Sequence, residues 1–165
     1  MRMVIVDSST LIHLSAIGRL TLLKDIYGKL TVPHAVWSEV VEQGKNRTGV
    51  AELQAALREE WLEILTPGNE PLLRSLRHEL DEGEAAVIAL AVQHRASLVL
   101  LDEVEARRIA SDFGLEKTGA IGVLIRAKLE GRIGSLRVEL DKIRTEAGFW
   151  IEESLYQKVL QVAGE

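Results

Sequence analysis

Met3-Val4-Ile5-Val6-Asp7-Ser8-Ser9-Thr10 is a short apolar run that ends on an acid and passes into hydroxyl residues. The run reads as a strand over residues 3 to 6, and Ser8 or Ser9 suits the N-cap of a helix that follows at once. Asp7 therefore stands at the carboxyl end of a strand, where ligands gather in open α/β sheets. Leu98-Val99-Leu100-Leu101 runs into Asp102 in the same manner. Two carboxylates from distant parts of the chain can thus meet beside one sheet edge.

Outward from these two strands, strand and helix patterns alternate. Further strands are expected at 30–32, 61–65 and 115–118. The spacing predicts helices from Ser8 or Ser9 to near Gly18, and over 19–27, 33–43, 50–59 and 70–80. Asp81-Glu82-Gly83-Glu84 introduces a helix over 85–92 that is apolar almost all round and so should be buried. Two more follow, at 103–113 and 119–129. Such alternation predicts an α/β fold with a mostly parallel central sheet covered on both faces. The polar, turn-rich stretch at 44–49 is expected to be mobile. From Ser135 onward the pattern is helical only, and Phe149, Trp150, Ile151, Leu155, Tyr156, Val159 and Val162 suggest an apolar stripe. The chain is read as a domain over 1–130 and a helical extension over 131–165, packed on the domain or on a second subunit.

The composition, 47% hydrophobic and 27% charged over 165 residues, suits one compact domain. With no long apolar run and no signal-peptide pattern, the expected location is cytoplasmic, with no membrane partner. Zero cysteines exclude disulfides and thiolate metal sites. The four histidines, His13, His34, His78 and His94, show no close metal-ligand spacing. A metal would be held by oxygen. The net charge of -5 argues against bulk coating of nucleic acid, though it leaves room for a local basic patch.

Acids occur where a shared site could form: Asp7, Glu39, Glu84, and the cluster Asp102-Glu103-Val104-Glu105. Each has a plainer reading as a helix cap or a solvated helix residue. In combination they suggest a site for Mg2+ or Mn2+, which take hard oxygen ligands and keep several waters. Two such ions about 4 Å apart can activate water and stabilise the departing oxygen of a phosphodiester. Ser8 and Ser9 offer hydroxyls and backbone amides for phosphate or bound water, or serve simply as caps. Arg107 and Arg108, with Lys117, Arg126 and Lys128, could track a nucleic-acid backbone. A doubly wound phosphoryl-transfer protein is disfavoured, because Asp7 is not followed by a second aspartate two residues on.

Four segments resemble a PIN domain when read in order: Val4-Ile5-Val6-Asp7-Ser8-Ser9-Thr10; Val32-Pro33-His34-Ala35-Val36-Trp37-Ser38-Glu39-Val40; Leu80 to Ala91; and Leu100 to Ala110. Thr118-Gly119-Ala120-Ile121-Gly122 strengthens the likeness, which covers about residues 1 to 130. The resemblance implies a three-layer α/β/α fold and a magnesium- or manganese-dependent ribonuclease, akin to the toxins of VapBC-type toxin-antitoxin pairs. Carried over by motif, Asp7, Glu39, Glu84 and Asp102 are the catalytic acids. Asp7 and Asp102 would ligate metal directly and Glu84 directly or through water. Glu39 would be a ligand or orient the attacking water. Glu105, with Glu103 as the alternative, would be the outer carboxylate; many relatives carry an aspartate farther along this loop. The partners implied are an RNA substrate, an antitoxin protein and a second copy in a homodimer.

Overall fold

A computed structural model describes residues 2–44 and 48–165. The turn-rich stretch expected to be mobile centres on residues 45–47, outside the described residues. In chain order the elements begin β1 (Val4–Val6), α1 (Ser8–Ala16), α2 (Thr21–Tyr27), β2 (Leu30–Pro33) and α3 (His34–Trp37). Helix α3 runs on into a wider π turn, Ser38–Glu42. Next come α4 (Val50–Arg58), β3 (Leu62–Leu65), α5 (Glu70–Leu76), α6 (Glu82–His94), β4 (Leu98–Leu100), α7 (Val104–Asp112), β5 (Lys117–Thr118), α8 (Ala120–Leu129), α9 (Leu136–Glu146) and α10 (Glu153–Val162).

The five strands form one sheet in the order β3-β2-β1-β4-β5, and every pairing is parallel. All three residues of β1 are buried. That explains why its sequence is continuously apolar: with helices on both sides it has no wet face. Helix α6 packs on β1, β2 and β4 with α3, α5 and α7 beside it, while α1, α2 and α8 pack together and against α9. The architecture is the expected three-layer α/β/α sandwich.

The chain winds outward from β1 to β2 and β3, then crosses back through α6 to lay β4 on the other side of β1. The strand order reverses between β1 and β4, and in such sheets ligand sites form at this switch point, outside the carboxyl ends of the strands. Val6 lies in register with Leu100, Asp7 N–H donates to Leu100 O at 3.0 Å, and Leu101 N–H donates to Thr118 O at 2.8 Å. The residues just beyond β1, β4 and β5 are therefore side by side.

Some boundaries differ from the sequence reading. Helix α5 stops at Leu76, and residues 77–80 turn the chain toward Asp81. Helix α6 starts at Glu82 because Asp81 and Glu84 form a reciprocal capping box. The apolar stripe near the carboxyl end is divided. Helix α10 buries Tyr156, Val159 and Leu160, the i, i+3, i+4 face of a helix, whereas Leu155 and Val162 fall outside that arc and are exposed. In the segment before it, Ile151 is buried and Trp150 points outward, 80% exposed. Helix α9 buries Leu136, Leu140 and Ile143, and an ion pair of 2.6 Å joins its Glu139 to Arg19 after α1. No helix among the described residues is long and apolar enough to cross a membrane.

Candidate functional site

Asp7 is the N-cap of α1. Its Oδ1 accepts the Thr10 N–H at 2.8 Å, and its Oδ2 accepts the Asp102 N–H at 3.2 Å. The first bond is local and the second crosses from β1 to β4. The residue is 1% exposed, and desolvation is the main reason its carboxyl is pushed up to about 7 from 3.8. The bonds to Thr10 pull the other way. The charge of Asp102 raises it further, which places the two carboxyls within electrostatic reach.

Asp102 is positioned differently. It does not cap α7, whose N-cap residue is Glu103. Its Oδ1 accepts the N–H of Ala120, the first residue of α8, at 2.8 Å, and its Oδ2 lies 2.7 Å from His13 Nδ1. A Cβ added at Gly119 would collide with Asp102 Oδ1 and crowd the carbonyl of Leu101. The absent side chain leaves room for the carboxylate. At Gly122 the added Cβ would strike the Thr118 hydroxyl. Thr118-Gly119-Ala120-Ile121-Gly122 is thus a seat for Asp102 at a helix start, and no phosphate loop is needed to explain its glycines.

Glu39 lies in the π turn, a local widening of a helix that often marks functional sites. It accepts the Ser8 hydroxyl at 2.9 Å. A Cβ built on Gly83, in the first turn of α6, would lie 3.5 Å from Glu39 Oε2 and 3.6 Å from Ser8 Oγ, so these segments converge. Glu84 is half-buried and accepts the Asp81 N–H at 3.2 Å. Burial raises its carboxyl above the usual range, and the charges of Asp81 and Glu103 add to the rise. Glu103 thus lies within electrostatic reach of Glu84, and its Oε1 is 3.5 Å from the Ser9 hydroxyl. Glu39 and Gly83 also line a cavity of about 770 Å3 whose opposite wall carries Leu73, Arg77 and Glu70.

The remaining candidates, Arg107 apart, lie outside this group. Glu105 is tied to Arg108, whose guanidinium holds its carboxyl below the usual range, and the pair is solvent-exposed. Arg108 also reaches Asp112 and Glu79. Arg107 donates to Leu101 O at 3.0 Å, bracing the end of β4. Arg126 and Lys128 engage Glu130 and Glu165 respectively. His13 is the residue that sequence reasoning passed over. No spacing rule would have found it, since 89 residues separate it from Asp102.

Among the described residues, no group of three or more His, Cys, Asp or Glu side chains is arranged as a ready-made metal cage. The donor set nevertheless fits a hard divalent cation. Magnesium is commonly held by one or two carboxylates and otherwise by water and substrate phosphate. Asp7 and Asp102 are such a pair, and the principal influences on Asp7 include no cation to balance its desolvated charge.

A parallel sheet with two carboxylates at its switch point defines an α/β protein with an acidic, oxygen-donating site. The chain belongs to the PIN domain family, which it matches over residues 3–165. That span takes in α9 and α10. PIN domains are generally nucleases and typically use divalent metals. No curated protein matches the chain.

Proposed function

We propose that the chain is a metal-dependent ribonuclease that hydrolyses RNA phosphodiester bonds. The observation that carries this reading is the buried Asp7 carboxyl, which accepts the Asp102 N–H across the switch point, in a family of nucleases. Asp7 and Asp102 would hold Mg2+ or Mn2+ directly, and Glu84 would reach it directly or through water. Such an ion, when bound, supplies Lewis acidity at the scissile phosphate. Glu39, held by Ser8, is placed to orient water at the rim. Glu103 is favoured over Glu105 as the outer carboxylate, because it lies beside Ser9 and within electrostatic reach of Glu84 while Glu105 is paired with Arg108. Ser8 and Ser9 at the start of α1 are the proposed phosphate contacts, and Arg107, next to the end of β4, is better placed for that task than Arg108.

A role as the toxin of a toxin-antitoxin pair is part of the same proposal, with an antitoxin that covers the acidic site and a homodimer as the working assembly. Glu39 and Gly83 also line the cavity of about 770 Å3, which is large enough for a few side chains of such a partner.

The test is cleavage of single-stranded and hairpin RNA with Mg2+ or Mn2+ by the purified chain, beside Asp7→Asn and Asp102→Asn. Loss of cleavage on the order of 10³-fold or more is expected for each, the scale seen when a group acting in a catalytic unit is removed. Equal cleavage by either variant would overturn the proposal. A non-catalytic RNA-binding module is the second reading, favoured by the partners that all four oxygens of Asp7 and Asp102 already have. It predicts RNA binding without cleavage at any divalent-ion concentration.

A further inference from the structure

We infer that His13, held in place by Phe149, positions the Asp102 carboxylate for a divalent cation. The inference rests on the reading of Asp102 as a metal ligand and adds two residues to it, one of them from the segment between α9 and α10.

The His13 and Asp102 side chains are 13% and 3% exposed, and Nδ1 lies 2.7 Å from Oδ2. A metal-ligating carboxylate only accepts hydrogen bonds, so in the proposed role His13 donates from Nδ1 to Asp102 Oδ2. With Ala120 N–H on Oδ1, both oxygens are fixed from opposite sides, while each keeps a second lone pair. Water bonded to a carboxylate could not fix its plane in this way; an imidazole seated in the fold can.

What seats it is aromatic. The Phe149 ring lies with its centroid 4.4 Å from that of His13, tilted by 50°, a close contact at the short edge of the separations that ring pairs favour. Phe149 is itself anchored: its N–H donates to Ile143 O on α9, and Ile151 two residues on is buried. Helix α9 in turn is tied to the start of the chain by Arg19 and Glu139. A continuous path of packed and bonded groups therefore runs from α9 through Phe149 and His13 to Asp102. Partners that orient a ligating side chain typically contribute 10- to 100-fold to metal affinity.

The experiment is calorimetric titration of the full chain with Mn2+ alone, without RNA. His13→Ala is expected to weaken binding about 10- to 100-fold. His13→Asn, whose amide N–H can stand where Nδ1–H stood, is expected to recover most of that loss. Phe149→Ala should weaken binding less than His13→Ala does. Thermal unfolding of each variant confirms that it is folded, and a merely structural histidine would make the alanine and asparagine variants behave alike. Mn2+ binding by His13→Ala equal to that of the unsubstituted chain would overturn the inference, as would an asparagine variant no better than alanine. Asp102→Asn in the same titration separates the two levels. If it abolishes binding while His13→Ala leaves binding unchanged, only the inference fails. If the unsubstituted chain binds no Mn2+, the metal reading fails and the inference with it.

Discussion

The junctions after β1 and β4 look alike in sequence, each an apolar strand ending on an aspartate, yet the protein uses them in different ways. Asp7 caps its own helix and takes the amide of Thr10, three residues on. Asp102 ignores the helix that follows it and is seated by Ala120 and His13, 18 and 89 residues away. A local acid is built in by its immediate neighbours. A long-range acid needs the finished sheet, a glycine to make room and a histidine from another layer. Both carboxyls are shielded from solvent, and at Asp7 desolvation pushes the carboxyl up to about 7.

That contrast can be broken first through pH. In the unfolded chain Asp7 ionises near 3.8, and in the folded metal-free protein at about 7. Between those values the native state binds the extra proton, so this group's stabilisation is full below about 4 and is lost as pH rises through 7. The span amounts to up to about 4 kcal/mol. Urea midpoints of the unsubstituted chain and Asp7→Asn, compared from pH 4 to 8 without metal, should diverge by a large part of that amount. Parallel curves would show that the carboxyl is not desolvated as described.

The seat of Asp102 is tested by Gly119→Ala. Its methyl must displace the carboxylate or the strand end, an overpacking that costs about 1–3 kcal/mol. A lowered urea midpoint together with weakened Mn2+ binding is expected, whereas a change in stability without any change in Mn2+ binding would separate the glycine from the site. The smallest effects belong to the rim. Glu103→Gln should weaken Mn2+ binding or cleavage by about tenfold, while Glu105→Gln should change neither, because Glu105 is an exposed partner of Arg108. The reverse pattern would move the outer carboxylate to Glu105.

Elements that announce themselves locally were read correctly from sequence. The buried strands, the capping acid Asp81 and the apolar helix α6 each carry their signal within a few residues, whereas the first cap falls on Asp7 and not on the expected Ser8 or Ser9. Glu39 was identifiable as an acid near an apolar helix face, but not the π turn that aims it, because one extra residue in a helical turn leaves no compositional trace. His13 sits on a mostly apolar helix and looks like a core residue until β4 is laid beside β1. The glycines of Thr118-Gly119-Ala120-Ile121-Gly122 were visible, but their purpose was not, since what a missing Cβ makes room for is another segment. Outer carboxylates were ambiguous for the same reason. Glu103 and Glu105 differ in sequence by two positions and in the structure by which neighbour each one meets.

The pairing of β1 with β4 also imposes an order in time. Val4–Val6 is made early, and β2 soon gives it one neighbour, but the strand on its other side must wait for residues 98–100. At roughly 5–20 residues per second of synthesis, the 95 positions between Asp7 and Asp102 correspond to about 5–20 s. During that interval the nascent chain carries half of its acidic site and none of Asp102, Gly119 or Phe149. A ribosome making this protein therefore holds an unfinished site next to its own messenger, and the site is completed only after more than half of the chain has been made.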